Sequence, residues 1–179
     1  DTSKMGINTI TYQVTDSFGN KATATRSVYV YQKQMLGNPI NPGNKVVYLT
    51  FDDGPSRYTA RLLDILDKYG VKATFFVTNQ FPSYTHMIGE THRRGHTIAL
   101  HTYKHRYEVL YQNETAYYND LEAIKNIVVN QTGIVPTIVR FPGGTSNTVS
   151  RKYCKGIMSS LVNSISYHGF LYCDWNVSS

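Results

Sequence analysis

The spacing of apolar residues divides the chain into two parts. In the first 31 residues, Ile10, Tyr12 and Val14 alternate with polar residues, and the alternation resumes from Ala22 to Val30 after the break "DSFGN". A period of two predicts β-strands, and the break predicts a turn between them. Because a lone hairpin is marginally stable in water, we expect these two strands to belong to a larger β-sandwich.

From Lys45 onward, short apolar runs alternate with segments of helical period. The predicted strands are "VVYLTF", "KATFFVT", "HTIAL", "PTIVRF" and "FLYCDWNV", and the predicted helices are 56–70, 84–94, 114–131 and 148–164. We expect Ser56 to cap the first helix and Gly70 to end it. This alternation predicts an α/β fold with a parallel sheet or barrel, whose ligands bind at the carboxyl ends of the strands.

The segment "QKQMLGNPINPGNK" lies between the two parts and is rich in Gly, Pro and Asn, which predicts a linker. We therefore divide the chain into residues 1–33, a linker at 34–45 and a second domain at 46–179. No run of about 18 apolar residues and no signal peptide is visible, so the sequence predicts no membrane span.

Two adjacent acids, Asp52 and Asp53, directly follow the first strand of the second domain. Neighbouring carboxylates repel each other unless one binds a cation or takes a proton, so the pair predicts a ligand. Asp-Asp-Gly-Pro also suits a plain tight turn, and this motif alone leaves that interpretation open.

Two histidines, His101 and His105, follow the third strand of this domain in "HTYKH". A spacing of four brings two imidazoles to one side of a helical turn, where both reach one metal ion. His92 and His96 have the same spacing but flank the end of a helix, so we interpret His92 as an exposed cation and His96 as structural. With Asp53, the first pair forms a three-ligand site with an open position, as catalytic zinc requires.

The third group follows the fourth strand, in "RFPGGTSN". Arg140 can pair with a carboxylate and tune its basicity, while Pro142, Gly143 and Gly144 form an open turn whose N–H groups can face an anion. In isolation, a structural arginine before a Pro-Gly loop is an equally good interpretation.

Together, "TFDDGP", "HTYKH" and "RFPGG" resemble the first three motifs of the polysaccharide deacetylases, carbohydrate esterase family four, in this order and each after a strand. The resemblance implies a distorted (β/α) barrel with fewer than the usual eight strands, and metal-dependent removal of acetyl groups from amino sugars. "VTDSFGNKATATRSVYV" in turn resembles the closing strands of a bacterial immunoglobulin-like repeat, so the N-terminal hairpin is expected to come from such a sandwich.

By position in these motifs, the resemblance implies that Asp52 is the catalytic base and that Arg140 orients it. It implies that Asp53, His101 and His105 bind one divalent metal ion. Zn²⁺ is the expected metal, although such a donor set also accepts Co²⁺, Ni²⁺ or Mn²⁺.

The resemblance also implies a substrate groove, to which we assign Pro142, Gly143 and Trp175. The backbone N–H of Gly143 is expected to help hold the oxyanion of the tetrahedral intermediate. Two residues depart from the family pattern: Arg106 stands in place of a proline, and Gly143 stands in place of a common aromatic residue, which would widen the groove or weaken sugar stacking.

The C-terminal stretch "YCDWNVSS" resembles the start of the fourth family motif, and the fifth motif, a Leu-x-His that carries the general acid, is absent from these 179 residues. We therefore expect the barrel to be incomplete at its C-terminus and the chain to be cut at both ends from a longer secreted enzyme. Such a chain would bind metal but deacetylate poorly, since no acid protonates the departing amine.

Composition and charge limit the classes of binding partner that we expect. The 41% of hydrophobic residues suffice for a packed core, and the net charge of +6 favours a polyanionic neighbour such as a cell-wall polymer. No basic run with interleaved aromatics predicts a nucleic-acid partner, whereas 15 tyrosines offer flat surfaces on which sugar rings stack. Cys154 and Cys173 lack the spacing of a zinc ribbon, and both a free and a bridged state stay open.

The sequence thus predicts a metal-dependent hydrolase that removes N-acetyl groups from N-acetylglucosamine units of a polysaccharide. Peptidoglycan is the expected substrate, because immunoglobulin-like repeats project bacterial enzymes from a surface; an extracellular or cell-surface monomer follows. Two alternatives stay open: activity on chitin or xylan, and a carbohydrate-binding or structural module that keeps the fold without turnover. A metal phosphoesterase would need ligands for a second metal, and none is placed after a strand.

Overall fold

The computed structural model describes residues 6–30 and 47–178. The predicted linker at 34–45 lies outside the described residues, as do both of its boundaries, so the division into domains stays a prediction. No helix in the described part of the chain is long and apolar enough to cross a membrane.

The N-terminal part is the expected hairpin. Strand β1 (Gly6–Thr15) pairs antiparallel with β2 (Lys21–Val30), with Tyr12 opposite Ala24. The carboxylate of Asp16 shapes the turn, because it accepts hydrogen bonds from the N–H groups of Phe18 and Asn20, both at 2.9 Å.

The second part is a parallel five-stranded sheet with helical connections, which confirms the predicted α/β fold. Its strands are β3 (Thr50–Asp52), β4 (Thr74–Val77), β5 (Thr97–Leu100), β6 (Ile138–Val139) and β7 (Leu171–Tyr172), hydrogen-bonded in that order. Its α-helices are α1 (Thr59–Lys68), α2 (Met87–Arg93), α3 (Tyr107–Leu110), α4 (Glu114–Thr132) and α5 (Ile157–Ser164). Short 3-10 helices occupy Pro82–Tyr84, Val149–Lys152 and Ile165–His168. Strands that pair in chain order wind as in a (β/α) barrel.

Helix α1 shows how the sequence sets these elements. Its buried residues Thr59, Leu63 and Leu66 form one stripe towards the sheet. The helix ends where Gly70 takes a φ of +65°, which lets Val71 donate to the carbonyl of Leu66 at 2.9 Å and closes the C-terminus as a Schellman motif.

Some predicted boundaries were wrong. Ser56 does not cap α1: Tyr58 occupies the N-cap position without a side-chain capping hydrogen bond, and the Ser56 hydroxyl accepts the N–H of Tyr58 at 3.3 Å. Residues 47–49 were expected in a buried strand but are exposed, because β3 lies at the sheet edge and, among the described residues, pairs only with β4. The helix expected at 148–164 is divided, since Gly156 has a φ of +86°.

The ladder of backbone hydrogen bonds continues to the ends of the strands and fixes their relative heights. His101 donates its N–H to Val77, and Arg140 donates its N–H to Leu100, both at 2.9 Å. The residues that follow β3, β5 and β6 therefore lie at one edge of the sheet.

Two aliphatic side chains on α1 test where the hydrophobic core lies. Leu63 is fully buried whereas Ile65, on the same helix, is 44% exposed. We expect Leu63→Ala to lower the free energy of unfolding by about 2–5 kcal/mol, because it leaves a cavity. Ile65→Ala should cost less than about 1 kcal/mol. Urea unfolding followed by circular dichroism measures both, and equal losses would contradict the assigned packing.

Candidate active site

The predicted site residues converge at the carboxyl edge of the sheet. Asp52 is the last residue of β3 and Asp53 follows it; His101 follows β5, and Arg140 follows β6. His105 joins them from the loop between β5 and α3. The structure thus gathers residues that are up to 88 positions apart in sequence.

Asp53, His101 and His105 form one cluster of possible metal ligands. The Oδ1 atom of Asp53 lies 3.4 Å from Nε2 of His105 and 3.7 Å from Nε2 of His101, and all three donor atoms lie within 4.8 Å of one another. Ligands about 2.0–2.2 Å from a tetrahedral ion stand roughly 3.4 Å apart. The donor set and its spacing therefore fit a divalent metal ion.

The imidazole of His101 is oriented by the backbone of the neighbouring strand. Its Nδ1 atom lies 2.8 Å from the carbonyl oxygen of Arg140. A carbonyl only accepts, so Nδ1 carries the proton and Nε2 presents its lone pair to the cluster. Burial lowers the pKa of His101, which favours the neutral, ligating form.

The loop that carries the histidines is strained, not helical, which corrects the expectation of a helical turn. The φ values of Thr102, His105 and Asp53 are +76°, +53° and +66°, in the left-handed region that residues other than glycine rarely adopt. Such strain persists only where surrounding contacts enforce it, and it is typical of functional sites. The imidazole rings of His101 and His105 meet at a centroid distance of 5.0 Å as a result of this backbone path.

Two residues that the sequence analysis missed support the cluster. Asp120 on α4 accepts the N–H of Tyr103 within the histidine loop, and burial raises the pKa of its carboxyl group. Gln80 donates from Nε2 to Oδ1 of Asp53 at 3.2 Å. Asp120 is a polar residue within a helix, and nothing in the sequence distinguishes it from other polar helix residues. Gln80 follows the end of β4, so its position alone could have identified it as a candidate.

Asp52 is held apart from the metal-ligand cluster by Arg140. The guanidinium donates from Nη1 to Oδ1 of Asp52 at 2.8 Å and to the Thr50 hydroxyl at 3.0 Å. It also donates from Nε to the Cys173 carbonyl at 2.9 Å, and only 3% of the side chain is exposed. Oδ2 of Asp52 makes no hydrogen bond within the described ranges, so one carboxylate oxygen is fixed and the other is available.

The loop after β6 borders this pair. The carbonyl of Pro142 accepts the buried Tyr111 hydroxyl at 2.7 Å, and Gly143 has a φ of +77°. The N–H of Gly143 has no acceptor among the residues that the structure describes. Trp175 is 43% exposed, and its ring centre lies 5.5 Å from Cζ of Arg140, so all three residues assigned to the groove lie near the site.

A cavity of about 560 Å³ opens beside the two acids. Asp52 and Asp53 form part of its wall, and the aromatic rings of Tyr58, Phe81 and Tyr84 border it. Between 37% and 62% of each of these three residues is exposed to solvent. Aromatic faces with this exposure suit the apolar faces of sugar rings.

Comparison with known families gives two matches. Residues 40–157 match the family described as polysaccharide deacetylase, and residues 1–30 match the bacterial surface protein Ig-like domain.

Individual relatives agree with the family match. The catalytic domain of peptidoglycan N-acetylglucosamine deacetylase from Eubacterium rectale is 59% identical, with a TM-score of 0.75 over 77% of this chain and 63% of that one. A peptidoglycan-N-acetylglucosamine deacetylase of Bacillus cereus is 33% identical over 75% of this chain and 46% of its own length. A family 4 acetyl xylan esterase from Clostridium thermocellum, solved with a cobalt ion, is 34% identical, with a TM-score of 0.50 over 55% of this chain and 49% of that one.

The chain thus spans about half the length of the curated relatives it matches. The family match nevertheless covers well over half of this chain and includes Asp53, His101, His105 and Arg140. On this evidence the chain belongs to the polysaccharide deacetylase family.

Proposed function

We propose that this protein removes N-acetyl groups from N-acetylglucosamine units of peptidoglycan with the help of one divalent metal ion. The observation that carries the proposal is the convergence of two groups at one edge of the sheet: an Asp-His-His donor set and a separate carboxylate held by a buried arginine. Hydrolysis of an unstrained amide needs both an activated water and a base that accepts its proton.

Asp53, His101 and His105 would hold the metal. Zn²⁺ suits one carboxylate and two imidazoles, and Co²⁺, Ni²⁺ and Mn²⁺ are the alternatives for this donor set. The cobalt ion of the Clostridium thermocellum esterase supports a transition metal in a site of this family. When bound, the ion lowers the pKa of a coordinated water and polarises the acetamide carbonyl.

Asp52 acts as the general base. Arg140 fixes Oδ1, and Oδ2 accepts the proton of the attacking water. The same oxygen then returns this proton to the departing amine, so that the C–N bond breaks as acetate is released. Because the guanidinium is itself held by the carbonyls of Cys173 and Asp174, at 2.9 and 3.3 Å, the carboxylate keeps its orientation when it receives the proton. Fixed orientation before the reaction lowers the barrier, since no reorganisation is needed during attack.

Gly143 supplies a donor for the charge that develops on the acetamide oxygen. Its backbone N–H has no partner within residues 6–30 and 47–178, and an unpaired donor beside a reacting carbonyl stabilises the tetrahedral oxyanion. Pro142 and Trp175 border the same loop and would contact the sugar. Asp174 stabilises the loop, because its carboxylate accepts the N–H of Thr145 at 3.2 Å.

Three observations support peptidoglycan as the substrate and a cell-surface or extracellular location. The Eubacterium rectale and Bacillus cereus relatives are named for this substrate. The match of residues 1–30 to a bacterial surface Ig-like domain supports display at the cell surface, and the net charge of +6 favours an anionic wall polymer. We propose a monomer that acts on a polysaccharide and not on nucleic acid.

The two neighbouring acids give a matched test of the roles. We expect Asp53→Asn to weaken Zn²⁺ binding at least tenfold, because it removes a charged ligand. Asp52→Asn should leave Zn²⁺ affinity within threefold of wild type yet lower acetate release at least 100-fold, because an amide cannot accept the proton. Zinc titration by calorimetry and acetate release from chitopentaose measure the two properties. Equal losses of metal affinity in both variants would contradict the division of roles.

The substrate is tested by a panel with the zinc-loaded chain. Turnover should be slow, because Asp52 has to serve as both base and acid, but we expect acetate release from peptidoglycan and chitopentaose, which share the N-acetylglucosamine amide, to exceed release from acetylated xylan at least tenfold. Faster release from xylan esters would replace the proposed amide substrate with an ester. Binding of all three glycans without acetate release would favour a carbohydrate-binding module.

A further inference from the structure

Tyr107 is a residue beside the site to which no family motif assigns a role. It is the first residue of α3, and its ring stands perpendicular to the His105 ring at a centroid distance of 5.6 Å. On its other side the ring packs against the fully buried Tyr111, at 5.5 Å. The phenol is thus fixed between a metal-ligand candidate and the core, and the side chain is half-buried.

The hydroxyl of Tyr107 occupies the space into which a side chain at position 143 would extend. A Cβ atom built on Gly143 would lie 2.7 Å from Oη of Tyr107 and 3.0 Å from Cβ of Asn147. Real Cβ atoms do not approach other atoms so closely, so a side chain at position 143 would have to displace the Tyr107 phenol. The departure from the family pattern at Gly143 therefore has a structural counterpart: an aromatic group fills the space from another element.

The neighbouring tyrosines differ from Tyr107 in their hydrogen bonds. Tyr111 donates to the Pro142 carbonyl and Tyr118 pairs with the Ser164 hydroxyl at 2.8 Å, so both hydroxyls are used by the fold. In the described part of the chain the Tyr107 hydroxyl has no partner. A phenol O–H that adjoins Gly143, with packing that fixes its ring, is a positioned donor with no acceptor among the described residues.

We infer that Tyr107 is a substrate-contacting residue, whose hydroxyl donates a hydrogen bond to the acetamide oxygen beside the N–H of Gly143. This inference rests on the proposed deacetylase function and adds a second protein donor to the oxyanion. Since the oxygen gains negative charge during attack, the hydrogen bond is stronger in the transition state than with the bound substrate. Its loss should therefore appear mainly in kcat.

Tyr107→Phe tests this directly, because it removes the hydroxyl and keeps the ring packed on His105. In the zinc-loaded chain we expect kcat for acetate release from chitopentaose to fall about 100-fold, the lower end of the range for loss of one oxyanion donor. KM and Zn²⁺ affinity should each stay within threefold of wild type, a change that corresponds to about 0.6 kcal/mol. The melting temperature should stay within about 2 °C of wild type. Tyr69→Phe, at an exposed position on the end of α1, is the matched control and should change nothing.

A binding measurement separates ground-state contact from catalysis. In the Asp52→Asn background, which lacks the base, adding Tyr107→Phe should change the Kd for chitopentaose by less than threefold. A wild-type kcat in Tyr107→Phe would overturn the inference. A fall in rate that follows weaker Zn²⁺ binding would also overturn it, because Tyr107 would then position His105 and not touch the substrate.

A double-mutant cycle tests the contact with Gly143. Gly143→Ala should displace the phenol, so the further loss on adding Tyr107→Phe should be less than threefold. Fully independent losses would contradict the shared space. The proposed function fails if the wild-type chain neither binds chitopentaose nor releases acetate while Asp53→Asn still weakens Zn²⁺ binding, and the inference about Tyr107 then fails with it. If the wild-type chain releases acetate and Tyr107→Phe releases it at the same rate, only the inference is overturned.

Discussion

Arg140 lies beneath the site with 3% of its side chain exposed, and it joins the ends of three strands. Its backbone follows β6, and its guanidinium donates to Thr50 and Asp52 on β3 and to the carbonyl of Cys173 after β7. Its Cζ atom lies 3.9 Å from the ring centre of Phe76 on β4, so this ring supports the guanidinium from one face. A buried cation is tolerated only where acceptors surround it. The orientation of Asp52 depends on this one side chain, while the backbone carbonyl of Arg140 fixes the tautomer of His101.

Two adjacent carboxylates in a partly buried site pose an electrostatic problem that the fold solves by separating them. Asp52 belongs to the strand and turns towards Arg140, whereas Asp53 leaves the strand with a left-handed backbone and turns towards the two imidazoles. Each acid thus obtains a different partner. The same backbone step that relieves their repulsion makes one of them a metal-ligand candidate and leaves the other as a base candidate.

The sequence predicted the fold and the grouping of the candidate residues at one edge of the sheet, and its misses have physical causes. Alternating periods predicted a parallel sheet, and the rule that ligands bind at the carboxyl ends of strands correctly brought Asp53, His101 and Arg140 together. The spacing of His101 and His105 predicted a helical turn, but positive φ values in a loop produce the same proximity, and no sequence pattern encodes that strain. Asp120 and Tyr107 were missed because they contribute through contacts with distant residues, which local patterns do not reveal.

The most direct test of the account is metal-titrated acetate release. Protein stripped of metal with a chelator should release no acetate from chitopentaose, and activity should rise linearly with added Zn²⁺ and level off at one equivalent, because the described residues form one Asp-His-His cluster. Undiminished release by the metal-free protein, or activity that levels off only at two equivalents, would contradict the central claim that one metal ion and one separate carboxylate perform the reaction.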